Sequence, residues 1–120
     1  MNYSELVIDH FEQPRNVLVD CREHSLHGTA GSKSAGRLVE FCLEVSGNVI
    51  RHAGFRAWGC PYTIAVASWL TEQLPDRHVD EVQTLDLDAI AAELDLPAEK
   101  WHCVLIAEDA LRAATRRSVN

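Results

Sequence analysis

The chain contains no Cys-x-x-Cys pair, although it has four cysteines: Cys21, Cys42, Cys60 and Cys103. That spacing excludes a zinc ribbon and a thioredoxin-type redox motif. Basic residues are scarce. Eleven Lys and Arg stand against 18 Asp and Glu, for a net charge of −7. A phosphate backbone needs a basic face, so nucleic acid is excluded as the main partner. The densest basic spot, Arg112, Arg116 and Arg117, reads as a helix end, where cations suit the macrodipole. No apolar run approaches the ~20 residues of a membrane span, so no membrane association is expected. The opening Met1-Asn2-Tyr3-Ser4-Glu5 lacks a basic region followed by an apolar stretch, and the cytoplasm is the expected compartment. No phosphate-loop spacing occurs in the Gly-rich tract, and no serine sits in a nucleophile elbow.

What is present fits one domain over residues 1–120. Apolar residues make up 47%, enough for a core without metal or disulfide staples. The even cysteine count invites a disulfide. An acidic chain with no leader and a core of its own argues against one, so four unbonded thiols are expected. On the residues alone each cysteine reads first as a small buried hydrophobe.

Tyr3 to Phe11 reads as a short helix capped by Ser4 and ended by Pro14. A short strand is expected near Ser25–Ala30, and the tract Gly28 to Gly36 reads as a mobile loop. Val39, Phe41, Leu43 and Val45 alternate with Glu40, Cys42 and Glu44, and Val49, Ala53, Phe55 and Ala57 alternate with Ile50, His52, Arg56 and Trp58. Ser46-Gly47-Asn48 turns the chain between these two strands. Alternation puts Cys42 on the face opposite the apolar row, as a packing residue. A helix is expected from Pro61, the favoured first position, to Leu74, with Ile64, Ala67, Thr71 and Leu74 on one face. A helical turn follows near Asp76 to Gln83, then a short helix capped by Asp86. A last helix spans Trp101 to Arg116, with Glu108 and Arg112 as an i,i+4 pair. The expected class is α+β: a small antiparallel three-stranded sheet with helices packed on one face.

Two places concentrate soft ligands. Cys60 lies where a strand meets a helix, and His102-Cys103 opens the last helix. Helix N-termini favour thiolate, the form that binds metal or attacks sulfur. If the two helix starts meet, Cys60, His102 and Cys103 offer three convergent ligands that zinc or iron accepts. If they do not, His102 is a satisfied polar residue and Cys103 a packing one. His10, His24, His27, His52 and His78 read as surface residues, and Glu108 and Asp109 as helix-surface charge. His24 and His27 share a loop with Cys21 that could take up metal adventitiously.

Three segments resemble the IscU/NifU-type iron–sulfur cluster scaffold family, in register and nearly end to end. Tyr3-Ser4-Glu5-Leu6-Val7-Ile8-Asp9-His10-Phe11-Glu12-Gln13-Pro14-Arg15-Asn16 is similar to its N-terminal signature. Phe55-Arg56-Ala57-Trp58-Gly59-Cys60 resembles the segment bearing its second cysteine ligand. His102 to Leu111 resembles the segment with its histidine and third cysteine. The resemblance implies a non-enzymatic scaffold that takes metal or sulfur through Cys60, His102 and Cys103. It implies an iron–sulfur cluster or zinc as the bound species, a cysteine desulfurase as partner, and leaves a homodimer open. The family's first ligand loop reads Gly-Ala-Pro-Ala-Cys-Gly-Asp, whereas here Gly31-Ser32-Lys33-Ser34-Ala35-Gly36-Arg37 stands. Ala35 cannot ligate, and Arg37 is a fixed cation that should favour thiolate at a nearby Cys60 and repel metal. Pro61 and Tyr62 replace small residues. Leu96-Pro97-Ala98-Glu99-Lys100 replaces the chaperone-recognition segment Leu-Pro-Pro-Val-Lys, and its glutamate weakens the expectation of an Hsp70-type chaperone. The competing readings are a degenerate paralogue that binds zinc or a desulfurase without building clusters, and a thiol enzyme using Cys103 with His102 as base. Adjacent helical residues point apart, which disfavours the enzyme.

Overall fold

The computed structural model describes residues 3–18, 21 and 26–116. His24, Ser25 and Arg117 lie outside the described residues. Helix α1 (Glu5–Glu12) starts at Ser4, whose side chain accepts the Val7 N–H. Three strands follow: β1 (Leu26–Ser32), β2 (Arg37–Ser46) and β3 (Val49–Trp58). They form one antiparallel sheet in the order β1-β2-β3. Helix α2 (Pro61–Gln73) leaves the end of β3. A 3-10 segment (Val79–Thr84), helix α3 (Leu87–Glu93), a 3-10 turn (Ala98–Lys100) and helix α4 (His102–Thr115) complete the chain.

Alternation sets the two faces of the sheet. Gly28, Phe41 and Phe55 stand in one row, as do Ala30, Val39 and Ala57. Phe41, Phe55, Val39 and Leu43 are buried beneath α2 and α4. Replacing one such phenylalanine with alanine costs typically about 3–5 kcal/mol. Gly28 permits the close fit of α4, because a Cβ there would lie 2.2 Å from the Ala110 carbonyl oxygen. Hence the strand expected near Ser25–Ala30 holds over its described residues and runs on to Ser32, and the tract Gly28 to Gly36 is a loop only at its end. Its first half pairs with β2 as part of β1, and only Lys33 to Gly36 turn. That turn is held by Ser32, whose carbonyl and hydroxyl oxygens both accept the Ala35 N–H. At the other end of β2, Gly47 and Asn48 both take positive φ (60° and 64°) between the paired Ser46 and Val49, the two-residue geometry that matches strand twist.

Helix α2 is more central than an amphipathic pattern implies. Tyr62, Thr63, Ala65, Val66, Ala67, Ser68, Leu70 and Thr71 are all buried, because α1 covers the side of α2 turned from the sheet. The joint is polar as well as apolar. His10 is buried, not on the surface, with Nδ1 2.7 Å from the Ser68 hydroxyl and Nε2 3.1 Å from Glu72. The Arg15 N–H donates to Ser68, and Asn16 donates to Thr71. Burial first, then the Arg15 cation, holds the His10 pKa below its ordinary value, against Glu72 and Asp9. The neutral ring therefore accepts from Ser68 and donates to Glu72. Glu108 is likewise buried, and it pairs with Arg112 at 3.0 Å as the spacing predicts.

The second face of the sheet is crossed by the chain following α1. Leu18 donates to the Phe55 carbonyl, Phe55 donates to the Asn16 carbonyl, and the Leu18 side chain lies over Gly54. From there Cys21 reaches Cys42, and the two form a disulfide with Cα atoms 5.8 Å apart. This corrects the expectation of four unbonded thiols. Composition weighs compartment, whereas register weighs geometry: alternation turns Cys42 out of the apolar row, onto the face that this crossing covers. Beside it Glu40 takes bonds from His27 and Arg56. No helix among the described residues is long and apolar enough to cross a membrane.

Candidate functional site

Strand β3 ends at Trp58, and Gly59 turns the chain into α2. Gly59 takes φ of 155°, and a Cβ there would lie 2.9 Å from the Thr63 hydroxyl. Cys60 is the residue just outside the helix, and its carbonyl accepts the Thr63 and Ile64 N–H groups. Its side chain is half-buried. Cys103, the second residue of α4, is fully buried at 0% exposure. The two starts meet, and the sulfurs of Cys60 and Cys103 lie 3.9 Å apart. Thr63 sits between them. Its hydroxyl donates to the Cys103 sulfur at 3.4 Å and lies 3.6 Å from that of Cys60.

The corner is built by contacts among chain segments distant in sequence. Tyr62, which replaces a small residue of the family pattern, is buried with its ring 4.9 Å from that of Tyr3. Lys100 stands 5.8 Å above the same Tyr62 ring, and the Ser4 hydroxyl donates to the Leu94 carbonyl. The Lys33–Gly36 turn lies at the same end of the sheet, since Leu38 pairs with Trp58. Lys33 reaches over the Trp58 ring at 4.2 Å. Ala35 and Arg37 are exposed in and after that turn.

The two thiols differ electrostatically. Burial alone would raise the Cys60 thiol, but the Thr63 and Tyr62 N–H groups, the Thr63 hydroxyl and Cys103 outweigh it and leave Cys60 below the ordinary thiol range. Burial pushes the Cys103 thiol up to about 11, despite the Thr63 hydroxyl. The expectation of thiolate at both helix starts therefore holds in direction for Cys60 only; at Cys103 desolvation wins. The lowering at Cys60 comes from the open end of α2 rather than from Arg37.

Of the three predicted ligands, the structure brings together Cys60 and Cys103. Among the described residues no group of three or more His, Cys, Asp or Glu side chains is arranged to hold a metal ion, so His102, half-exposed at the first position of α4, stands outside such a group. The thiol spacing suits a metal. Two sulfurs at ~2.3 Å from a tetrahedral ion stand roughly 3.8 Å apart. Thr63 was missed by reading cysteines and histidines alone. Its signal is positional: third in a helix whose flanking residue is a cysteine.

Known proteins agree with this architecture. The family model described as the NifU-like N terminal domain matches residues 2–118. The iron–sulfur cluster assembly scaffold protein IscU of Haemophilus influenzae is 38% identical over 117 residues, covering 95% of this chain and 93% of that protein. The protein of the same name from Escherichia coli K12 is 39% identical over 117 residues, covering 95% and 91%. Among solved structures, a candidate iron–sulfur cluster assembly scaffold for the SUF system from Fervidobacterium islandicum superposes with a TM-score of 0.70 at 18% identity, covering 95% of this chain and 96% of that one. A nearly full-length family match, joined to relatives well above a third identical, establishes that this chain belongs to the NifU-like N-terminal domain family.

Proposed function

We propose that this chain is a scaffold for iron–sulfur cluster assembly, in which Cys60 and Cys103 carry the sulfur and metal cargo. The observation behind this reading is the pair of unbonded thiols 3.9 Å apart at two abutting helix starts. Cys60, half-buried and lowered in pKa, is the entry point for sulfur from a cysteine desulfurase. Cys103 is the inner ligand, and Thr63 holds both sulfurs in register. His102 is recruited from the first position of α4 when cargo is bound. A [2Fe–2S] cluster takes four protein ligands, so one protomer with two thiolates and one imidazole is short by one. The residue standing where the family has its first cysteine is Ala35.

A second reading follows from that deficit: a paralogue that binds zinc or the desulfurase and builds no cluster. Zinc is satisfied by three protein ligands and a water. Anaerobic reconstitution with iron and sulfide, followed by visible absorbance after gel filtration, separates the two. The scaffold reading expects cluster absorbance in the parent chain that rises in Ala35→Cys. Absence of cluster in both forms would leave the paralogue.

A further inference from the structure

The two unbonded thiols are unequal in access. Cys60 is half-buried and meets solvent, whereas Cys103 is 0% exposed, and among the described residues its sulfur lies against the Thr63 hydroxyl and the Cys60 sulfur. A reagent arriving from outside therefore reaches Cys60 first, and the group nearest to the Cys103 sulfur is whatever Cys60 carries. We propose that Cys60 and Cys103 work in sequence as a dithiol that takes one sulfane sulfur atom from a persulfide donor and discharges it as sulfide. This rests on reading Cys60 as the sulfur acceptor and goes beyond it, because it makes the scaffold itself the source of the reducing electrons.

The steps balance. The Cys60 sulfur attacks the terminal sulfur of a donor R–S–SH; a Cys60–sulfur bond forms, the donor S–S bond breaks, and R–SH leaves with a proton. Cys60 now bears the persulfide. The Cys103 sulfur then attacks the Cys60 sulfur. The Cys60–Cys103 bond forms, the bond to the terminal sulfur breaks, and that sulfur departs with the Cys103 proton as hydrogen sulfide. Two thiols have lost two electrons, and one sulfane sulfur has gained them. The geometry is prepared for the second step. Closing 3.9 Å to a disulfide of about 2.05 Å needs the two sulfurs to approach by under ~2 Å. Thr63, within 3.4 and 3.6 Å of the two sulfurs, keeps both thiols turned toward each other. The absence of a thiol at Ala35 leaves no competing cysteine in the neighbouring turn.

The test uses the full chain, reduced at Cys60 and Cys103, treated anaerobically with one equivalent of cysteine persulfide. Each cysteine falls in a different tryptic peptide, with Cys60 in 57–77 and Cys103 in 101–112. The expected result is one sulfide released per chain and a disulfide joining those two peptides. In Cys103→Ala the sulfur should stay on Cys60, with at least tenfold less sulfide released over the same time. Cys103→Ser should behave alike, which separates the lost thiol from a folding defect. Cys60→Ala should take up no sulfur. If the parent chain keeps its persulfide as long as Cys103→Ala does, the dithiol step is overturned while sulfur acceptance stands. If the parent shows no persulfide, releases no sulfide and forms no disulfide between those two peptides, both fall. If Cys60→Ala takes up sulfur on Cys103 as fast as the parent takes it up, the order of the two thiols is overturned.

Discussion

Two cysteine pairs occupy this small protein, and their fates differ. Cys21 and Cys42 are bonded on the second face of the sheet; Cys60 and Cys103 are unbonded at the corner where α2 and α4 begin. Residue type is the same in all four. What separates the pairs is backbone context. Cys42 sits mid-strand, where alternation turns it under the crossing segment, and its bond fastens that segment to the central strand. Cys60 sits at an open helix end whose N–H groups favour a charged sulfur, with Thr63 bridging to a partner that is held but not bonded. One pair staples, and on the proposed reading the other is kept for chemistry.

The sharpest way to break that contrast is to remove the staple. Replacing both Cys21 and Cys42 with alanine frees a loop with a sequence separation of 21. The loop-entropy relation gives a loss of about 3 kcal/mol. Urea denaturation should show a lower midpoint, while metal and sulfur uptake at Cys60 and Cys103 stay unchanged. A second test compares the two unbonded thiols. At pH 8 iodoacetamide should modify Cys60 about 100-fold faster than Cys103 or more, from the thiolate fractions alone. Cys103 should begin to react as the pH climbs toward 11. Peptide mass mapping over time reads both rates.

Two smaller effects probe the frame around the pairs. The folded-state pKa of His10 is lowered, so the unfolded chain takes up that proton first as pH falls. Its contribution to stability is complete above the ordinary value near 6.5 and is lost below it. The slope cannot exceed about 1.4 kcal/mol per pH unit for one proton, and it levels off once folded His10 also titrates. Denaturation midpoints between pH 7.5 and 5 should fall in the parent and flatten in His10→Gln. Last, Lys33→Ala removes the cation from the Trp58 ring. At an exposed position that should cost under ~1 kcal/mol in thermal unfolding.

Much of the frame was legible in the sequence because it rests on local chemistry. Ser4 and Asp86 cap as expected, and Phe41 and Phe55 alternate onto the buried face. Cys42 lands on the opposite face. What was not legible depends on segments far apart in the chain. Gly31 and Ser32, beyond the strand expected near Ser25–Ala30, look like a loop until β2 offers them a partner, and α4 needs the missing side chain of Gly28 to approach. His10 looks like a surface histidine until Ser68 and Glu72 enclose it. At the candidate site, the family pattern named Cys60, His102 and Cys103. The pairing of two sulfurs at 3.9 Å through Thr63, and the burial that sets them apart, came only with the fold.

The most direct measurement is anaerobic reconstitution with iron and sulfide of four chains: the parent, Cys60→Ala, Cys103→Ala, and the Cys21→Ala/Cys42→Ala double variant. If Cys60 and Cys103 together carry the cargo, visible cluster absorbance is lost in each of the two single variants and kept in the double variant. Absorbance retained in both single variants, or lost in the double variant while that chain remains folded, would contradict the division of the cysteines into a staple and a working pair.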